Sequence, residues 1–397
     1  MVERSEMLME NKRLKIGIFV DVFFPMIDGV AVVVDNYAKR LCKWADVTVF
    51  CPKSRDKKYV DNFPYKVVRS LKLSIPNTDY DISLPALDLM FDKNLLDSKL
   101  DIVHIHSPFT IGQIGIGYAK LHQIPVIATI HSQYKRDFYE RTKSEVIANI
   151  GIKSIVNIFN MCDEIWPVNR AILNLYQEFG IKKLMYVHRN ATDLVPVNID
   201  NDDELIKKYD IQKEDSVLLF VGRIDPIKNI FFTLDALEYL KTVRPDFKML
   251  FVGSGPATEE LKQRIKEKHL DRQIIVVGRI EDRTLLARHY KLADLFIFPS
   301  LYDASSLVQI EASSQKTPTV FIKGAATADT VTDNINGFLG ENNSVEYGKL
   351  IHNILSDSDL LHKVSEQAYN DLYLSWDNAM TDVYGRYLEL VKMNKNR

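Results

Sequence analysis

The chain contains 397 residues, of which 46% are hydrophobic and 26% are charged. This composition is typical of a globular protein, and the length exceeds what one hydrophobic core supports, so we expect two domains. The 51 basic and 53 acidic residues leave a formal charge of −2, which excludes general electrostatic binding of nucleic acid.

The cysteine and hydropathy patterns favour a cytoplasmic protein. Cys42, Cys51 and Cys162 form no CxxC pair, which argues against a zinc site or a disulfide framework. The first thirteen residues are charged and lack the apolar run of a signal peptide, and no run of about 18 apolar residues occurs. We therefore expect no membrane-spanning segment, while contact with a membrane surface stays open.

Short apolar runs alternate with helical patterns in both halves, which predicts two doubly wound α/β domains with parallel sheets. The predicted strands of the first half are Leu14–Val20, Val47–Phe50, Ile102–Ile105 and Val126–Ile130. Those of the second half are Val217–Val221, Lys248–Val252, Ile274–Val277, Leu295–Phe298 and Thr319–Phe321. A break in this rhythm from Asp193 to Glu204 separates a domain 1–195 from a domain 196–375.

The acidic residues within that break allow two interpretations. Asp200, Asp202 and Asp203 carry carboxylates, which are potential metal ligands. A solvated linker followed by a helix N-terminus explains the same residues through the helix dipole, and we favour it.

Ligands of open parallel sheets bind beyond the carboxyl ends of the strands, so we inspect the residues that follow each predicted strand. In the first half, Gly29 in the loop Asp28-Gly29-Val30 would let backbone amides approach a ligand, and the next helix would present its positive end to phosphate. The alternative is an ordinary turn. His104, His106 and His131 could each bind a sugar hydroxyl or be a satisfied core group.

In the second half, Gly222 turns the chain after a strand, and Arg223 and Lys228 place two cations where a diphosphate would be held. Salt bridges at the surface are the alternative for these two side chains. Glycine turns also end the next two strands, at Gly253 and at Gly278-Arg279-Ile280.

A further strand leads into Pro299-Ser300 and then into a predicted helix. Asp303 lies in the loop and Glu311 inside the helix, so the free amides of the helix start fall between two carboxylates. This arrangement suits two sets of hydroxyls, one on a sugar and one on a ribose, with a diphosphate held between them.

Together, these segments resemble the retaining glycosyltransferases of family 4, also called group 1, which have two facing Rossmann-like domains in the GT-B architecture. The resemblance runs from Asp28-Gly29-Val30 through His131, Gly222-Arg223 and Lys228 to Pro299-Ser300, Asp303 and Glu311. It ends in Ser375-Trp376-Asp377, and it implies that residues 376–397 form a helix that crosses back to complete the first domain.

The resemblance also implies roles for individual residues. Arg223 and Lys228 would hold the donor diphosphate, Glu311 the ribose hydroxyls, and His131 and Asp303 the transferred sugar. The remaining implied contacts to the nucleotide diphosphate-sugar come from the glycine loops and the helix start: Gly29, Gly222, Arg279, Ile280, Ser306, Leu307 and Val308. The leaving diphosphate would be neutralised by basic side chains and helix ends, so no metal and no cofactor is expected.

The sequence departs from the family pattern at one place. Members usually carry Glu where Asp303 stands and Phe-Gly where Ser305-Ser306 stand. The departure leaves the donor sugar open and keeps a non-catalytic relative as an alternative. A sugar-phosphate synthase on the same scaffold is a second alternative.

The acceptor is not identified by any motif, and a glycan, a lipid or a small molecule all stay open. Tyr134–Arg141 interleaves cations with aromatic residues, and Ile147–Phe159 is strongly apolar. These segments suit peripheral contact with a membrane that carries a lipid acceptor, or a core helix with a solvated basic flank.

Overall fold

The computed structural model describes residues 13–26, 28–74, 81–199 and 202–396. The chain forms two compact units, one of Met1–Arg189 with Trp376–Arg397 (unit 1) and one of Asn190–Ser375 (unit 2). The division falls between Arg189 and Asn190, whereas the sequence analysis places it after residue 195. Thr192 pairs with Ser375 in a parallel bridge, which ties the residues after Arg189 to unit 2.

Unit 1 is built on a parallel sheet with the strand order β3-β2-β1-β6-β7-β8-β9. Its strands are β1 (Lys15–Phe19), β2 (Asp46–Pro52), β3 (Lys66–Ser70), β6 (Ile102–Ile105), β7 (Val126–Ile130), β8 (Glu164–Pro167) and β9 (Leu184–Met185). A separate antiparallel pair is formed by β4 (Lys72–Ser74) and β5 (Asp81–Ser83). All four strands predicted in the first half are confirmed, because each is an apolar run buried on both faces.

The helices of unit 1 cover this sheet. They are α1 (Gly29–Leu41), α2 (Leu89–Ser98), α3 (Thr110–His122), α4 (Tyr134–Thr142), α5 (Glu145–Phe159) and α6 (Arg170–Glu178). Polar side chains begin several of them: Asp28 accepts hydrogen bonds from the first turn of α1, and Ser144 does so for α5. Lys143, in a left-handed conformation, ends α4 and separates it from α5.

Unit 2 repeats the same plan with the order β12-β11-β10-β13-β14-β15. Its parallel strands are β10 (Ser216–Val221), β11 (Phe247–Val252), β12 (Ile274–Gly278), β13 (Leu295–Ile297), β14 (Thr319–Ile322) and β15 (Phe338–Gly340). Its helices are α7 (Asp203–Lys208), α8 (Ile230–Val243), α9 (Thr258–Glu267), α10 (Arg283–Leu292), α11 (Leu307–Ser314), α12 (Ser344–Ser356) and α13 (Ser358–Leu372). The five predicted strands of the second half are confirmed.

The last helix, α14 (Trp376–Lys395), belongs to unit 1 although it follows unit 2 in the chain. It packs beside α1, where Asp377 lies 2.8 Å from the Lys43 ammonium. Arg386 holds the buried carboxylate of Glu164 at the edge of β8. The predicted return of the C-terminal helix to the first domain is therefore confirmed.

Both sheets have the strand order of a doubly wound fold, in which the direction of winding reverses at one point. In unit 1 this switch point lies between β1 and β6, and in unit 2 between β10 and β13. Ligands of such sheets bind at the carboxyl end of the switch point, because the loops on its two sides leave a crevice there. The residues just after these four strands are therefore the first candidates for a site.

Candidate active site

The switch point of unit 2 brings together two loops that the sequence analysis selected. Gly222 and Arg223 follow β10, and the loop from Pro299 to Ser306 follows β13. The neighbouring Gly253 has φ +141°, and a Cβ there would lie 1.8 Å from the carbonyl oxygen of Gly222. This close approach explains the glycine at the end of β11 without a ligand.

Lys228 and Asp303 form an ion pair at this edge of the sheet. Lys228 lies in a 3₁₀ turn, Pro226–Lys228, and the side chains of both residues are only 20% exposed. The Ser300 hydroxyl donates a hydrogen bond of 2.7 Å to the other oxygen of Asp303. A cation predicted for the diphosphate and a carboxylate predicted for the sugar thus form one buried unit.

Arg223 and Arg279 are more exposed than Lys228. The Arg223 side chain is 61% exposed and lies 3.4 Å from Asp225, and the Arg279 side chain is 53% exposed and lies 3.3 Å from Glu281. The surface salt bridge that was the alternative for Arg223 is thus present in this structure, whereas the ion pair of Lys228 is largely buried. Exposed pairs of this kind contribute little to stability, so either arginine can turn to an anion at small cost.

Glu311 lies inside α11, with its side chain 11% exposed. One carboxylate oxygen accepts a 2.8 Å hydrogen bond from Arg283, and the other accepts a 2.9 Å hydrogen bond from the Tyr290 hydroxyl. Each oxygen has a second lone pair, so the carboxylate can still accept hydrogen bonds from ligand hydroxyls. The two donors fix the carboxylate in one orientation.

Arg283 and Tyr290 were missed by the sequence analysis. They stand seven residues apart on α10, a spacing that places them on one helical face, and this is the signal that could have found them. Burial lowers the pKa of Arg283, but Glu311 and Asp193 outweigh it and raise that pKa above its usual value. The guanidinium therefore stays charged beside Glu311.

The start of α11 has the form that the sequence predicts. Ser306 caps the helix by accepting a 3.1 Å hydrogen bond from the Gln309 amide. The amides of Leu307 and Val308 belong to the first turn, which has no carbonyl partners within the helix. These two amides can therefore bind an anion. Ile280, which was also predicted to contact the donor, packs against the core of the same unit.

The histidines selected in unit 1 differ in burial and in hydrogen bonding. His104 is fully buried, and its ring nitrogens lie 2.5 Å from the Tyr387 hydroxyl and 2.7 Å from the Thr129 hydroxyl. Both nitrogens are satisfied, so the core interpretation describes His104. His131, at the end of β7, is half-buried.

His106 and His131 are hydrogen-bonded to each other, with 2.9 Å between Nδ1 of His106 and Nε2 of His131. His106 is fully buried, and its Nε2 has no hydrogen-bond partner among the described residues. Burial lowers the pKa of His131 to about 3 and that of His106 well below its ordinary value. Both rings are therefore neutral at physiological pH.

A cavity of about 310 Å³ opens at the switch point of unit 1. Its polar lining includes Asp21, Asp28, His106, Ser107, Asp137 and Arg141, and its apolar lining includes Val20, Val22, Val30, Ile82, Phe109 and Phe138. Asp21 accepts hydrogen bonds from the Ser107 hydroxyl (2.6 Å) and from the Ile111 amide (2.9 Å) at the start of α3. Burial raises the pKa of both Asp21 and Asp28.

Gly29 begins α1 beside this cavity. Asp28 accepts hydrogen bonds from the amides of Val30 (2.6 Å) and Ala31 (3.2 Å). A Cβ built on Gly29 would have no atom within 4 Å among the described residues, so packing does not demand a glycine here. Its role in the close approach of a ligand stays a prediction.

The segments considered for membrane contact form α4 and α5. One face of α5 is in the core, since Ile152, Ile155 and Phe159 are buried. Its other face exposes apolar side chains, with Val146 68% and Ile150 66% exposed. The core interpretation thus describes one face of this helix, and membrane contact of the other face stays a prediction. No helix in the described part of the chain combines the length and the hydropathy that crossing a bilayer requires, and residues 1–12 lie outside that part.

The acidic run of the predicted linker leads into a helix of unit 2. Asp202 accepts a 3.1 Å hydrogen bond from the Leu205 amide and pairs with Arg288, and Asp203 is the first residue of α7. Asp200 lies outside the described residues. Across residues 13–26, 28–74, 81–199 and 202–396, no group of three or more His, Cys, Asp or Glu side chains is placed to hold a metal ion.

Comparison with known families decides the identity of this fold. Residues 27–195 match the family described as Glycosyltransferase Family 4, and residues 201–371 match the family described as Glycosyl transferases group 1. The chain belongs to the family 4, group 1 glycosyltransferases. It is a glycosyltransferase of the GT-B type.

Two similar proteins are both called alpha-monoglucosyldiacylglycerol synthase. This glycosyltransferase is 26% identical to the one from Streptococcus pneumoniae, over 96% of this chain and 87% of that protein. It is 24% identical to the one from Acholeplasma laidlawii, over 97% of this chain and 99% of that protein. The similarity therefore extends across both units.

Among solved structures, this glycosyltransferase resembles the Anabaena protein HepE in complex with UDP and glucose. The TM-score is 0.74 at 16% sequence identity, covering 94% of this chain and 99% of that chain. At this identity the likeness concerns the fold. It agrees with the predicted GT-B architecture, which is confirmed.

Proposed function

We propose that this glycosyltransferase moves a hexose-type sugar from a nucleotide diphosphate-sugar to a lipid or lipid-linked acceptor. It does so with retention of configuration and without a metal ion. The observation that carries this proposal is the set of groups at the switch point of unit 2. Lys228 with Asp303, the start of α11 and Glu311 provide a cation, free amides and a carboxylate in the order that a diphosphate-sugar needs.

The donor is held by unit 2. Arg223 and Lys228, together with Gly222 and the amides of Leu307 and Val308 after Ser306, bind the diphosphate. Glu311, fixed by Arg283 and Tyr290, accepts hydrogen bonds from the ribose hydroxyls. The backbone at Arg279 and Ile280 contacts the base. A neighbour of the same fold was solved with UDP and glucose, which makes UDP-glucose the first donor to test.

Catalysis rests on charge stabilisation and positioning. As the glycosidic bond breaks, negative charge grows on the diphosphate, where Arg223, Lys228 and the helix amides stabilise it. The diphosphate oxygen accepts the proton of the acceptor hydroxyl, which attacks on the same face of the sugar. Asp303 and His131 position the sugar, and the loop at Gly29 closes on the substrates.

The acceptor is bound by unit 1. The cavity at its switch point has an apolar lining and polar groups, which suits a hydroxyl carried by an apolar chain. The exposed apolar face of α5 and the cations of α4 suit contact with a lipid surface. Two similar proteins are named as synthases of a glycosylated diacylglycerol, which supports a lipid as acceptor. The cytoplasmic location stays a prediction.

The test is a screen of nucleotide sugars, each incubated with and without diacylglycerol and monoglucosyldiacylglycerol in mixed micelles. We expect slow nucleotide release from one donor without acceptor, faster release with acceptor, and a glycolipid product with the anomeric configuration of the donor. EDTA should leave the rate unchanged. Nucleotide-sugar binding without any release would instead indicate a non-catalytic binding protein, and loss of activity in EDTA with rescue by magnesium would refute the metal-free mechanism.

A further inference from the structure

The cavity of unit 1 has an unusual charge pattern for a site that would bind a lipid acceptor. Asp21 and Asp28 both line it, and neither forms an ion pair with any described residue. Asp21 is satisfied by the Ser107 hydroxyl and by amides at the start of α3, and Asp28 by amides at the start of α1. Both carboxylates are therefore stabilised by amides and a hydroxyl, and neither is paired with a described cation.

The other charged groups of the lining do not reverse this pattern. Asp81 lines the cavity and is paired with Arg55 at 2.8 Å and with Lys72 at 2.5 Å. Arg141 and Asp137 contribute one positive and one negative charge. The lining therefore contains more carboxyl groups than cations, and no described cation pairs with Asp21 or Asp28.

A separate observation points to a hydroxyl ligand. His106 lines the same cavity, its ring is fully buried, and its Nε2 has no partner among the described residues. A buried polar atom without a hydrogen bond is costly, so it marks a place where a ligand group can be gained. In a neutral histidine whose Nδ1 already bonds His131, Nε2 can donate to a hydroxyl or accept from one.

We propose that this cavity binds an uncharged, hydroxyl-bearing end of the acceptor and rejects anionic head groups. The hydroxyl bonds Nε2 of His106 and the carboxylates of Asp21 and Asp28, while the acyl part lies along Ile82 and Phe109, which are 45% and 41% exposed. A phosphate at the same place would lie beside two unpaired carboxylates. Burial already raises the pKa of both, and a second anion would have to be neutralised or repelled.

That the bound molecule is the acceptor rests on the proposed function, but its binding to this cavity does not. The test is therefore an equilibrium binding measurement without any donor. Three probes share the same acyl chains in mixed micelles: dioctanoylglycerol with one free hydroxyl, dioctanoyl phosphatidic acid with a phosphate, and trioctanoylglycerol with neither. The full-length chain should bind dioctanoylglycerol roughly tenfold or more tightly than either of the others.

Asp28→Asn is the decisive variant. Asparagine caps a helix as well as aspartate does, so α1 stays intact while the charge is removed. The preference for dioctanoylglycerol over dioctanoyl phosphatidic acid should fall several-fold. Asp97→Asn is the matched control, since Asp97 is exposed on α2 and does not line the cavity, and it should leave the preference unchanged.

His106→Asn tests the hydroxyl contact. The asparagine amide can still reach His131 from the position of Nδ1, but it places no polar atom at the position of Nε2. It should weaken binding of dioctanoylglycerol and leave that of trioctanoylglycerol unchanged. The inference is overturned if the wild-type chain binds the phosphate probe as tightly as dioctanoylglycerol, if trioctanoylglycerol binds equally well, or if Asp28→Asn leaves the preference unaltered. A chain that passes these binding tests but transfers no sugar would refute only the proposed function.

Discussion

Lys228 and Asp303 form an ion pair although 75 residues separate them in the chain. Lys228 follows β10 and Asp303 follows β13, the two strands on either side of the switch point. Both side chains are about four-fifths buried, so removal of one partner leaves the other charge poorly solvated. A donor that binds at this switch point would therefore contact both Lys228 and Asp303. A substitution at either residue also changes the environment of the other.

Asp303→Asn keeps the size of the side chain and removes its charge. If Asp303 contacts the transferred sugar, turnover should fall by roughly 10- to 100-fold, because the lost contact strengthens in the transition state. Affinity for the free nucleotide diphosphate should hardly change. Steady-state kinetics and calorimetric titration with the nucleotide measure the two effects.

Ser300→Ala, which removes only the 2.7 Å hydrogen bond to Asp303, should lower turnover less. Loss of nucleotide affinity in Asp303→Asn would assign this carboxylate to the nucleotide subsite.

Lys228→Ala removes the buried cation. Donor affinity or turnover should fall by roughly 100-fold, because a charge-assisted contact to the diphosphate contributes about 1.5–3 kcal/mol. Since Asp303 would then lie near the diphosphate without the Lys228 cation, the double variant with Asp303→Asn should lose less than the sum of the two single effects. Strict additivity in this double-mutant cycle would show that the pair does not act as a unit.

Glu311→Gln should weaken nucleotide binding by roughly tenfold, since hydrogen bonds from ribose hydroxyls to a charged acceptor are lost. Sugar preference should stay the same. Tyr290→Phe removes one of the two donors that orient Glu311 and keeps its charge, so its effect should be smaller. Titration with UDP and with its deoxyribose analogue checks the assignment: the deoxy analogue should bind both Glu311→Gln and the wild-type chain with similar, weak affinity. A wild-type chain that did not distinguish the two nucleotides would contradict the ribose contact.

The central strands of both sheets and the edge strand β12 were predictable from the sequence, whereas several other outer strands were not. β1, β6, β10 and β11 are buried on both faces, so they appear as uninterrupted apolar runs. The predictions omitted β3 (Lys66–Ser70), β8 (Glu164–Pro167), β9 (Leu184–Met185) and β15 (Phe338–Gly340). β9 and β15 have only two and three residues, β3 contains Lys66 and Arg69, and the buried β8 begins with Glu164, so none of them is a long apolar run.

The site was predictable in its positions but not in its contacts. The order of strand ends in a doubly wound sheet identifies Arg223, Lys228 and Asp303 without knowledge of side-chain directions. The contacts of Glu311 with Arg283 and Tyr290, and of His106 with His131, join residues on separate elements, and local patterns contain no information about such pairs. These contacts arise only when the separate elements pack together.

Unit 1 should lose stability as the pH falls from about 7 to about 5, because its buried histidines are neutral when folded. Burial lowers the pKa of His131 to about 3 and of His188 to about 4, and it lowers those of His104 and His106 well below the ordinary value. Below about pH 6.5 the unfolded chain therefore binds protons that the folded unit does not, and each such histidine costs up to about 1.4 kcal/mol per pH unit.

Tryptophan fluorescence isolates this effect, since the three tryptophans, Trp44, Trp166 and Trp376, all belong to unit 1. Denaturant unfolding followed in this way should shift to lower denaturant concentration as the pH falls. His188→Gln should reduce the slope of stability against pH, and His122→Gln, at an exposed position on α3, should not. A stability of unit 1 that did not change over this range would show that these histidines are protonated in the folded state.

The attachment of α14 to unit 1 depends on the contact between Arg386 and Glu164. The Glu164 side chain is only 2% exposed, and it also accepts a 2.6 Å hydrogen bond from the Trp166 indole. Arg386→Met should destabilise unit 1 by about 3–5 kcal/mol, because it leaves a buried carboxylate without its cation. The double variant Glu164→Gln with Arg386→Met should recover most of this loss, since no uncompensated charge remains. Asp377→Asn weakens the contacts of the same helix with Lys43, at 2.8 Å, and with Arg40, at 3.6 Å. Because the Asp377 side chain is 62% exposed, this variant should cost less than about 1 kcal/mol. Unfolding followed by tryptophan fluorescence measures all four chains. If Arg386→Met were no more destabilising than Asp377→Asn, α14 would be attached through its apolar face alone, with Met380, Val383 and Tyr387 supplying the attachment.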